Sequence, residues 1–201
     1  MIQVILSDRT YENDIHPLVK AFYPREEVTV TDRGTSGEGE DITGCIRMDF
    51  DKNKVSIFID IEGRQDQATA DLPDPASEKT AYKNALKRNL YSMLSFISKK
   101  ELPWGTLTGI RPTKLVYEML DRGTDEAVIH DIMKKEYLCS GEKTDLSIDI
   151  AKRERKLLHD MDYKNGYSLY IGIPFCPSTC LYCSFPSFSA EKFADRIESY
   201  L

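Results

Sequence analysis

The stretch "IRMDFDKNKVSIFIDI", Ile46 to Ile61, carries alternating side chains on both sides of a short polar turn. Ile46, Met48 and Phe50 are the apolar positions before the turn, and the odd-numbered positions from Val55 onward are apolar after it. A period of two residues is typical of strands with one buried face, and "DKNK" has the composition of a turn. The stretch predicts a β-hairpin, and therefore a sheet in the first part of the fold.

Two weaker strand candidates precede the hairpin. They are Ile2 to Leu6 and Val28 to Thr31, both short and rich in apolar or β-branched residues. The segment "DRGTSGEGED", Asp32 to Asp41, has the glycine, serine and acidic content of an exposed, mobile loop. We therefore expect the strands of the first domain to lie within about residues 1–72.

The following part of the chain predicts helices over about residues 75–161. The first begins at "DPASEK", where Asp74 caps the helix and Pro75 suits its first turn. Apolar residues then recur at helical spacing, so we expect their stripe to face the sheet. The stripe consists of Tyr82, Leu86, Leu90, Met93, Leu94 and Ile97.

Three lysines of this helix, Lys79, Lys83 and Lys87, lie four residues apart on another face. They form either a nucleic-acid patch or a solvated face. The chain has 33 Asp and Glu residues against 27 Lys and Arg. An acidic balance of this kind provides no attraction for phosphates, which favours the solvated face.

Three more helices are predicted after this one. The second helix starts with Pro112 in its first turn and stops at Gly123, and the third is capped by Thr124. A fourth helix is capped by Ser140 and runs to about Met161. Consecutive helices also suggest a helix-turn-helix module, but the candidate recognition helix "DEAVIHDIMKKEY" carries four acidic residues that phosphates would repel.

The last part of the chain changes in character. "YSLYIGIPF", residues 167–175, has the composition of a buried strand, and "SAEKFADRIESYL" predicts an amphipathic helix capped by Ser189. No charged residue occurs between Asn165 and Ala190, but the prolines and serines of this run exclude a membrane helix. One βα unit cannot bury its strand alone, so we expect further units to follow in a longer protein.

The length and composition of the chain limit the classes of protein to which it can belong. The 201 residues, 41% of them hydrophobic, suffice for a sizeable core. The amino terminus lacks the features of a signal peptide, so we expect a cytoplasmic protein with reduced thiols. The fold class expected is α+β, with an accessory domain over residues 1–165 and a second domain starting at about residue 166.

Cys176, Cys180 and Cys183 form the pattern CxxxCxxC. A zinc site normally has a fourth cysteine or histidine ligand, and the nearest histidine, His159, is predicted within a helix. Three thiolates without a fourth protein ligand suit a 4Fe-4S cluster that keeps one iron open, while zinc remains the alternative. We expect the prolines and aromatics flanking the cysteines to stiffen the loop and exclude water.

CxxxCxxC with Tyr182 just before the last cysteine, directly after a predicted strand, resembles the signature of the radical S-adenosylmethionine (SAM) enzymes. More narrowly, "YIGIPFCPSTCLYCSF", residues 170–185, resembles the oxygen-independent coproporphyrinogen III dehydrogenases and their relatives. The upstream "LTGIRPTKLVYEML" resembles the HemZ-type branch of that group. The cysteine motif is the specific part of this resemblance, and it covers the sixteen residues quoted.

The resemblance implies a partial (β/α) barrel, truncated in this chain, whose first strand ends in the cluster loop. It implies that the three cysteines bind a 4Fe-4S cluster and that Tyr170 and Tyr182 contribute to SAM binding. It further implies the oxidative decarboxylation of coproporphyrinogen III to protoporphyrinogen in haem biosynthesis through a 5′-deoxyadenosyl radical. The implied partners are a tetrapyrrole substrate and an electron donor protein. No catalytic residue is assigned, and we expect these 201 residues alone to be inactive.

The chain departs from the resembled family at two positions. Gly172 stands where a histidine is found in the dehydrogenases, and Phe185 stands where they have a fourth cysteine. Haem chaperones share the cluster loop without the decarboxylase activity, so a haem-binding carrier is the alternative function. A binding module for RNA or protein in residues 1–165 is a third possibility.

Four residues outside the loop are further candidates. Cys45 and Cys139 are isolated in sequence and are expected to be inert buried thiols. Arg111 and Lys114 lie near a predicted helix start and close to Trp104. They either bind substrate propionates or fasten this helix to the barrel or the sheet.

Overall fold

A computed structural model describes residues 1–32, 42–109, 111–159, 161, 165–167 and 169–200 of the chain. These residues form two compact units, Met1–Leu157 and Leu158–Leu201. The predicted domain boundary at residue 165 thus lies a few residues inside the second unit. The predicted mobile loop falls outside the described residues except for Asp32.

The first unit contains a five-stranded mixed sheet in the order β2-β1-β3-β4-β5. β1 pairs in parallel with both β2 and β3, and β3, β4 and β5 form an antiparallel meander. The two weaker strand candidates are confirmed, and β5 is an additional strand that the sequence patterns did not predict. The strands are β1 Ile2–Leu6, β2 Val28–Asp32, β3 Gly44–Asp51, β4 Lys54–Ile61 and β5 Arg64–Asp71.

The predicted hairpin is confirmed as β3 and β4. Ile46 lies opposite Ile59 and Met48 lies opposite Ile57, so the apolar positions of both strands share one face. All four side chains are buried. Lys52 takes a positive φ of 46° in the turn between the strands.

Two helices cover this face of the sheet, α1 Glu12–Phe22 and α2 Lys79–Ser98. α1 links β1 to β2, and a parallel pair needs such a crossover connection. The apolar stripe of α2 belongs to the same buried cluster as the inward side chains of β1, β3 and β4. The prediction that this stripe faces the sheet is confirmed.

The predicted start of α2 is wrong. The helix begins at Lys79, and the carboxylate of Asp74 accepts hydrogen bonds from the Ala76 backbone N–H (3.2 Å) and the Ser77 hydroxyl (2.8 Å). Asp74 therefore closes a separate turn before the helix, as aspartate side chains also do outside helices.

The prediction of a solvated lysine face on α2 is confirmed for Lys79, which is exposed, and is wrong for Lys83 and Lys87, which are half-buried. Lys83 forms an ion pair with Asp14 of α1, and both side chains are largely covered, with 33% and 17% of their surface exposed. Burial lowers the pKa of Lys87, and the nearby Asp14 partly offsets this effect. The face that carries these two lysines packs against α1 because the two helices lie side by side.

Three further helices, α3 Pro112–Asp121, α4 Glu126–Tyr137 and α5 Gly141–Leu158, share a second buried cluster within the same unit. Pro112 begins α3 and Gly123 follows it with a φ of +79°, as expected. The cap of α4 is Asp125, whose carboxylate accepts from the Ala127 N–H at 2.8 Å, so the prediction of Thr124 is wrong. The Ser140 hydroxyl accepts from the Lys143 N–H at 3.3 Å at the start of α5, which supports its predicted role.

The second unit contains two two-residue strands, β6 Phe175–Cys176 and β7 Phe188–Ser189, and one helix, α6 Ala194–Tyr200. The predicted buried strand over residues 167–175 is wrong for this chain. Leu169, Tyr170 and Ile171 are 76%, 80% and 77% exposed, because no strand in the described part of the chain pairs with these three residues and covers them. Ser168 lies outside the described residues.

Ser189 does not cap α6 directly. Its hydroxyl accepts from the Lys192 N–H at 3.3 Å and its carbonyl accepts from the Phe193 N–H at 3.1 Å, which closes a turn before the helix. α6 then begins at Ala194. Within the described part of the chain, no helix combines the length and apolar character that a membrane crossing requires.

Candidate metal centre

Two backbone hydrogen bonds fix the ends of the cysteine loop. The Phe188 N–H donates to the Pro174 carbonyl at 2.8 Å, and the Ala190 N–H donates to the Cys176 carbonyl at 2.9 Å. These bonds pair β6 with β7 in parallel, with Phe175 opposite Phe188. The segment between the two strands, which contains Cys180 and Cys183, is therefore a loop closed at its base.

The three motif cysteines are free thiols with different exposure. Cys176 and Cys183 are half-buried, and Cys180 is exposed. A turn joins the last two, since the Cys183 N–H donates to the Cys180 carbonyl at 3.0 Å. The Cys183 thiol lies 3.9 Å from the Phe185 carbonyl oxygen, at the long end of a sulfur hydrogen bond.

The structure does not bring the three thiols together as a finished metal site. Among the described residues, no three His, Cys, Asp or Glu side chains are grouped so that they could hold a metal ion. The role of Cys176, Cys180 and Cys183 as cluster ligands stays a prediction. His159, the nearest histidine in sequence, lies just beyond the end of α5 rather than within a helix as predicted.

The prediction that flanking aromatics exclude water from the loop is wrong for this chain. Tyr182 is 90% exposed and Phe185 is 71% exposed. Tyr170, the other residue implied in SAM binding, is also exposed. Among the described residues of the second unit, no further sheet or helix layer covers the loop, so these side chains project into solvent. Their cofactor-binding role stays a prediction.

Arg111 and Lys114 both have acidic partners in the first unit. The Arg111 guanidinium holds the two carboxylate oxygens of Glu154 at 2.6 and 2.8 Å, and its Nε donates to Thr113 Oγ1 at 3.1 Å. Lys114 lies 3.9 Å from Glu118 one helical turn away. Arg111 thus fastens the start of α3 to α5, rather than to the sheet or a barrel, and its Nη2 and Nε atoms already have partners in Glu154 and Thr113.

The two cysteines outside the motif differ in burial. Cys139 is buried in the second cluster and its thiol lies 3.6 Å from the Pro103 carbonyl oxygen. Burial raises its pKa, and burial also raises the pKa of the half-buried Cys45. A raised pKa lowers the thiolate fraction at neutral pH, which supports the prediction that both thiols are unreactive.

Sequence patterns missed an aromatic group beside the loop. Phe175, Phe188, Phe193 and Tyr200 pack in a chain of contacts with ring centroids 5.5 to 6.4 Å apart. Phe193 and Tyr200 are seven residues apart, a spacing that places two residues on the same face of a helix. This spacing is the sequence signal that could have predicted that the two rings share a side.

Comparison with known proteins gives one sequence relative and no family match. No protein-family model matches the chain. A solved structure, protein VC0702 from Vibrio cholerae, is 8% identical with a TM-score of 0.23, over 81% of this chain and 99% of that one.

The sequence relative is the oxygen-independent coproporphyrinogen-III oxidase-like protein HemZ of Bacillus subtilis (strain 168), which is 36% identical over 143 residues. The match covers 69% of this chain and 28% of HemZ, so the chain spans little more than a quarter of the length of this relative. The similarity supports a relationship between this chain and the HemZ-like family of oxygen-independent coproporphyrinogen-III oxidase-like proteins.

Proposed function

We propose that this chain carries the cluster-binding loop of a HemZ-like radical SAM enzyme that decarboxylates coproporphyrinogen III in haem biosynthesis. The observation that carries the proposal is a set of three free cysteines, of which Cys176 ends β6 while Cys180 and Cys183 lie in the closed loop between β6 and β7. The sequence similarity to HemZ supports the substrate class, because its name describes a coproporphyrinogen-III oxidase-like protein.

The donor set fits a 4Fe-4S cluster with three protein ligands. Thiolates are the soft donors that iron and sulfide prefer, and the loop contributes no carboxylate that would favour a harder metal. The sixteen-residue motif, residues 170–185, contains no fourth cysteine or histidine that would complete a zinc site. When bound, such a cluster supplies the electron that cleaves SAM to methionine and a 5′-deoxyadenosyl radical, and this radical abstracts a hydrogen atom from the substrate.

The chain's own residues would bind the cluster and orient SAM beside it. Cys176, Cys180 and Cys183 would hold three irons, while the β6–β7 hydrogen bonds keep the two ends of the loop in register. Tyr182 precedes the last cysteine and would place its ring next to SAM. A run without charged residues, from Asn165 to Ala190, avoids carboxylates that would compete for iron.

Anaerobic reconstitution of the full-length protein with iron and sulfide tests the cluster. We expect about four irons per chain and, after one-electron reduction with dithionite, an electron paramagnetic resonance (EPR) spectrum that shifts on addition of SAM. Serine substitution of Cys176, Cys180 or Cys183 should abolish both results. Cys45→Ser, which alters a half-buried thiol outside the loop, is the matched control and should retain them.

Two results would overturn the cluster assignment: zinc bound by four ligands, or an iron cluster whose EPR spectrum does not respond to SAM.

A turnover assay then distinguishes the enzyme from the haem carrier. The enzyme should convert coproporphyrinogen III to a product that lacks two carboxyl groups when SAM and a reductant are present. The carrier, which Gly172 and Phe185 would favour, should bind haem in stoichiometric amounts and release no decarboxylated product.

A further inference from the structure

The segment that leads into Cys176 is held at three alternate carbonyl groups. The carbonyls of Pro174 and Cys176 accept from the backbone N–H groups of Phe188 and Ala190, at 2.8 and 2.9 Å. The Gly172 carbonyl accepts from the Tyr200 hydroxyl at 2.9 Å. Residues 172, 174 and 176 point their carbonyls to the same side of an extended chain. The Tyr200 hydroxyl therefore supplies a third hydrogen bond, at the position where a longer partner strand would supply a backbone N–H.

Tyr200 also contacts this segment through its ring. The ring meets Phe175 edge to face, with centroids 5.5 Å apart and planes at 86°. A cavity of about 330 Å³ lies beside this contact, bounded by the aromatic group and Arg196. A single residue of α6 therefore contacts the residues immediately before Cys176 through both its hydroxyl and its ring. Through these contacts Tyr200 anchors α6 to the start of the loop.

We propose that Tyr200 is a positioning residue for Cys176, which sets the position of the first ligand thiol by fixing the Gly172 carbonyl and the Phe175 ring. The proposal rests on the proposed function in one respect, namely that Cys176 binds iron. A Cβ at Gly172 would lie 3.1 Å from the exposed Tyr170 ring, so a larger residue there would require that ring to shift by a few tenths of an ångström.

Tyr200→Phe removes the hydroxyl and keeps the ring, and Tyr200→Ala removes both. The matched control is Tyr167→Phe, since Tyr167 is 94% exposed in the same unit. The first measurement uses the metal-free full-length protein and follows iodoacetamide modification of Cys176 and Cys180 by peptide mass spectrometry. Cys183, which is half-buried like Cys176, is followed in the same experiment. The ratio of the Cys176 rate to the Cys183 rate within one molecule reports the position of Cys176, because general unfolding would raise both of these rates.

We expect Tyr200→Phe to raise the Cys176 to Cys183 rate ratio about three-fold, in line with the loss of one partly exposed hydrogen bond, and Tyr200→Ala to raise it further. Tyr167→Phe should leave the ratio unchanged. The second measurement follows iron release to a chelator from reconstituted protein, and Tyr200→Phe should release iron about three-fold faster.

The two hypotheses fail in different ways. If the wild-type protein takes up no iron, the proposed function fails, while the modification ratio still decides the role of Tyr200. If the wild-type protein takes up iron but Tyr200→Phe and Tyr200→Ala match it in both measurements, the positioning role is overturned.

Discussion

Lys83 of α2 and Asp14 of α1 form an ion pair in which the ammonium nitrogen lies 2.7 Å from a carboxylate oxygen. The Asp14 side chain is only 17% exposed, so its charge is largely removed from water. A carboxylate in this position depends on its partner, because a desolvated charge without one is costly. The pair therefore couples the two helices that cover the sheet.

Lys83→Met should destabilise the first unit. Methionine keeps the aliphatic packing of the lysine and leaves the Asp14 carboxylate without its ion pair. We expect the free energy of unfolding to fall by about 1–2 kcal/mol, measured by urea unfolding at constant m-value. Lys79→Met, at the exposed first position of the same helix, should change it by less than about 0.5 kcal/mol. Equal values for the two variants would contradict the structural role of Lys83.

Arg111 and Glu154 should behave as a coupled pair. Each alanine variant is expected to lose up to about 1 kcal/mol of unfolding free energy, since Arg111 is more than half exposed. The double variant should lose no more than either single variant, as a double-mutant cycle would show. If Arg111→Ala weakens substrate binding in the full-length protein while Glu154→Ala does not, Arg111 is a propionate ligand instead.

Gly105→Ala should be severely destabilising. Gly105 has a φ of +57°, and a Cβ there would lie 2.0 Å from the Tyr137 carbonyl oxygen at the end of α4. We expect a loss above about 3 kcal/mol in thermal or urea unfolding. Gly123 has a φ of +79° with nothing within 4 Å of the added atom, so Gly123→Ala should cost only about 1 kcal/mol. A loss at Gly105 no larger than at Gly123 would exclude the steric explanation.

Tyr82 should make stability fall at alkaline pH. Burial raises the pKa of its hydroxyl above the ordinary value of 10.0, and the ring stacks on Tyr11. Above that ordinary pKa the unfolded chain loses this proton while the folded protein keeps it, so the unfolded state is favoured as pH rises. Tyr82→Phe removes this effect, and the wild type should lose stability relative to the variant between about pH 9 and 11. Parallel stability curves for the two proteins would contradict this expectation.

The five thiols should react at different rates in the metal-free protein. Cys180 is exposed and should be modified first by iodoacetamide. Cys139 is buried with a raised pKa and should be modified last, because both access and the thiolate fraction are low. Mass spectrometry of the modified peptides over time measures this order. Early modification of Cys139 would show that the second cluster opens readily.

Sequence patterns predicted the hairpin because its alternation and its turn agree on one register. They missed β5, an edge strand whose residues Arg64 to Asp71 are polar or small on both faces. Its sequence therefore shows no alternation of apolar and polar residues. A usable signal was present at Glu62 and Gly63, which both take positive φ between β4 and β5. A two-residue turn of this kind, with glycine second, favours a tight hairpin.

Helix prediction was most reliable where the apolar stripe was long. The stripe of α2 was assigned to the correct face, while its start was misplaced because Asp74 can close a turn as readily as it caps a helix. α1 was missed, as it is short and contains Pro17. The parallel pairing of β1 with β2 is a feature of the tertiary structure that local sequence patterns do not contain. Only that pairing makes a crossover helix necessary.

The candidate site shows the limit of local sequence patterns. Spacing identified Cys176, Cys180 and Cys183 as a group, but spacing contains no information about the contacts of Tyr200, which lies 28 residues from Gly172. The apolar run before Cys176 was interpreted as a buried strand from composition. Burial depends on neighbouring strands, which composition cannot report.

β1 occupies an interior place in its sheet, with Ile2 opposite Val28 on one side and Gly44 on the other. The meander of β3, β4 and β5 joins neighbours along the chain, whereas β1 must close two long loops to reach its partners. Folding kinetics should therefore run against the order of synthesis. β1, which is synthesised before both of its partners, gains its full set of pairings only after β2 and β3 have been made.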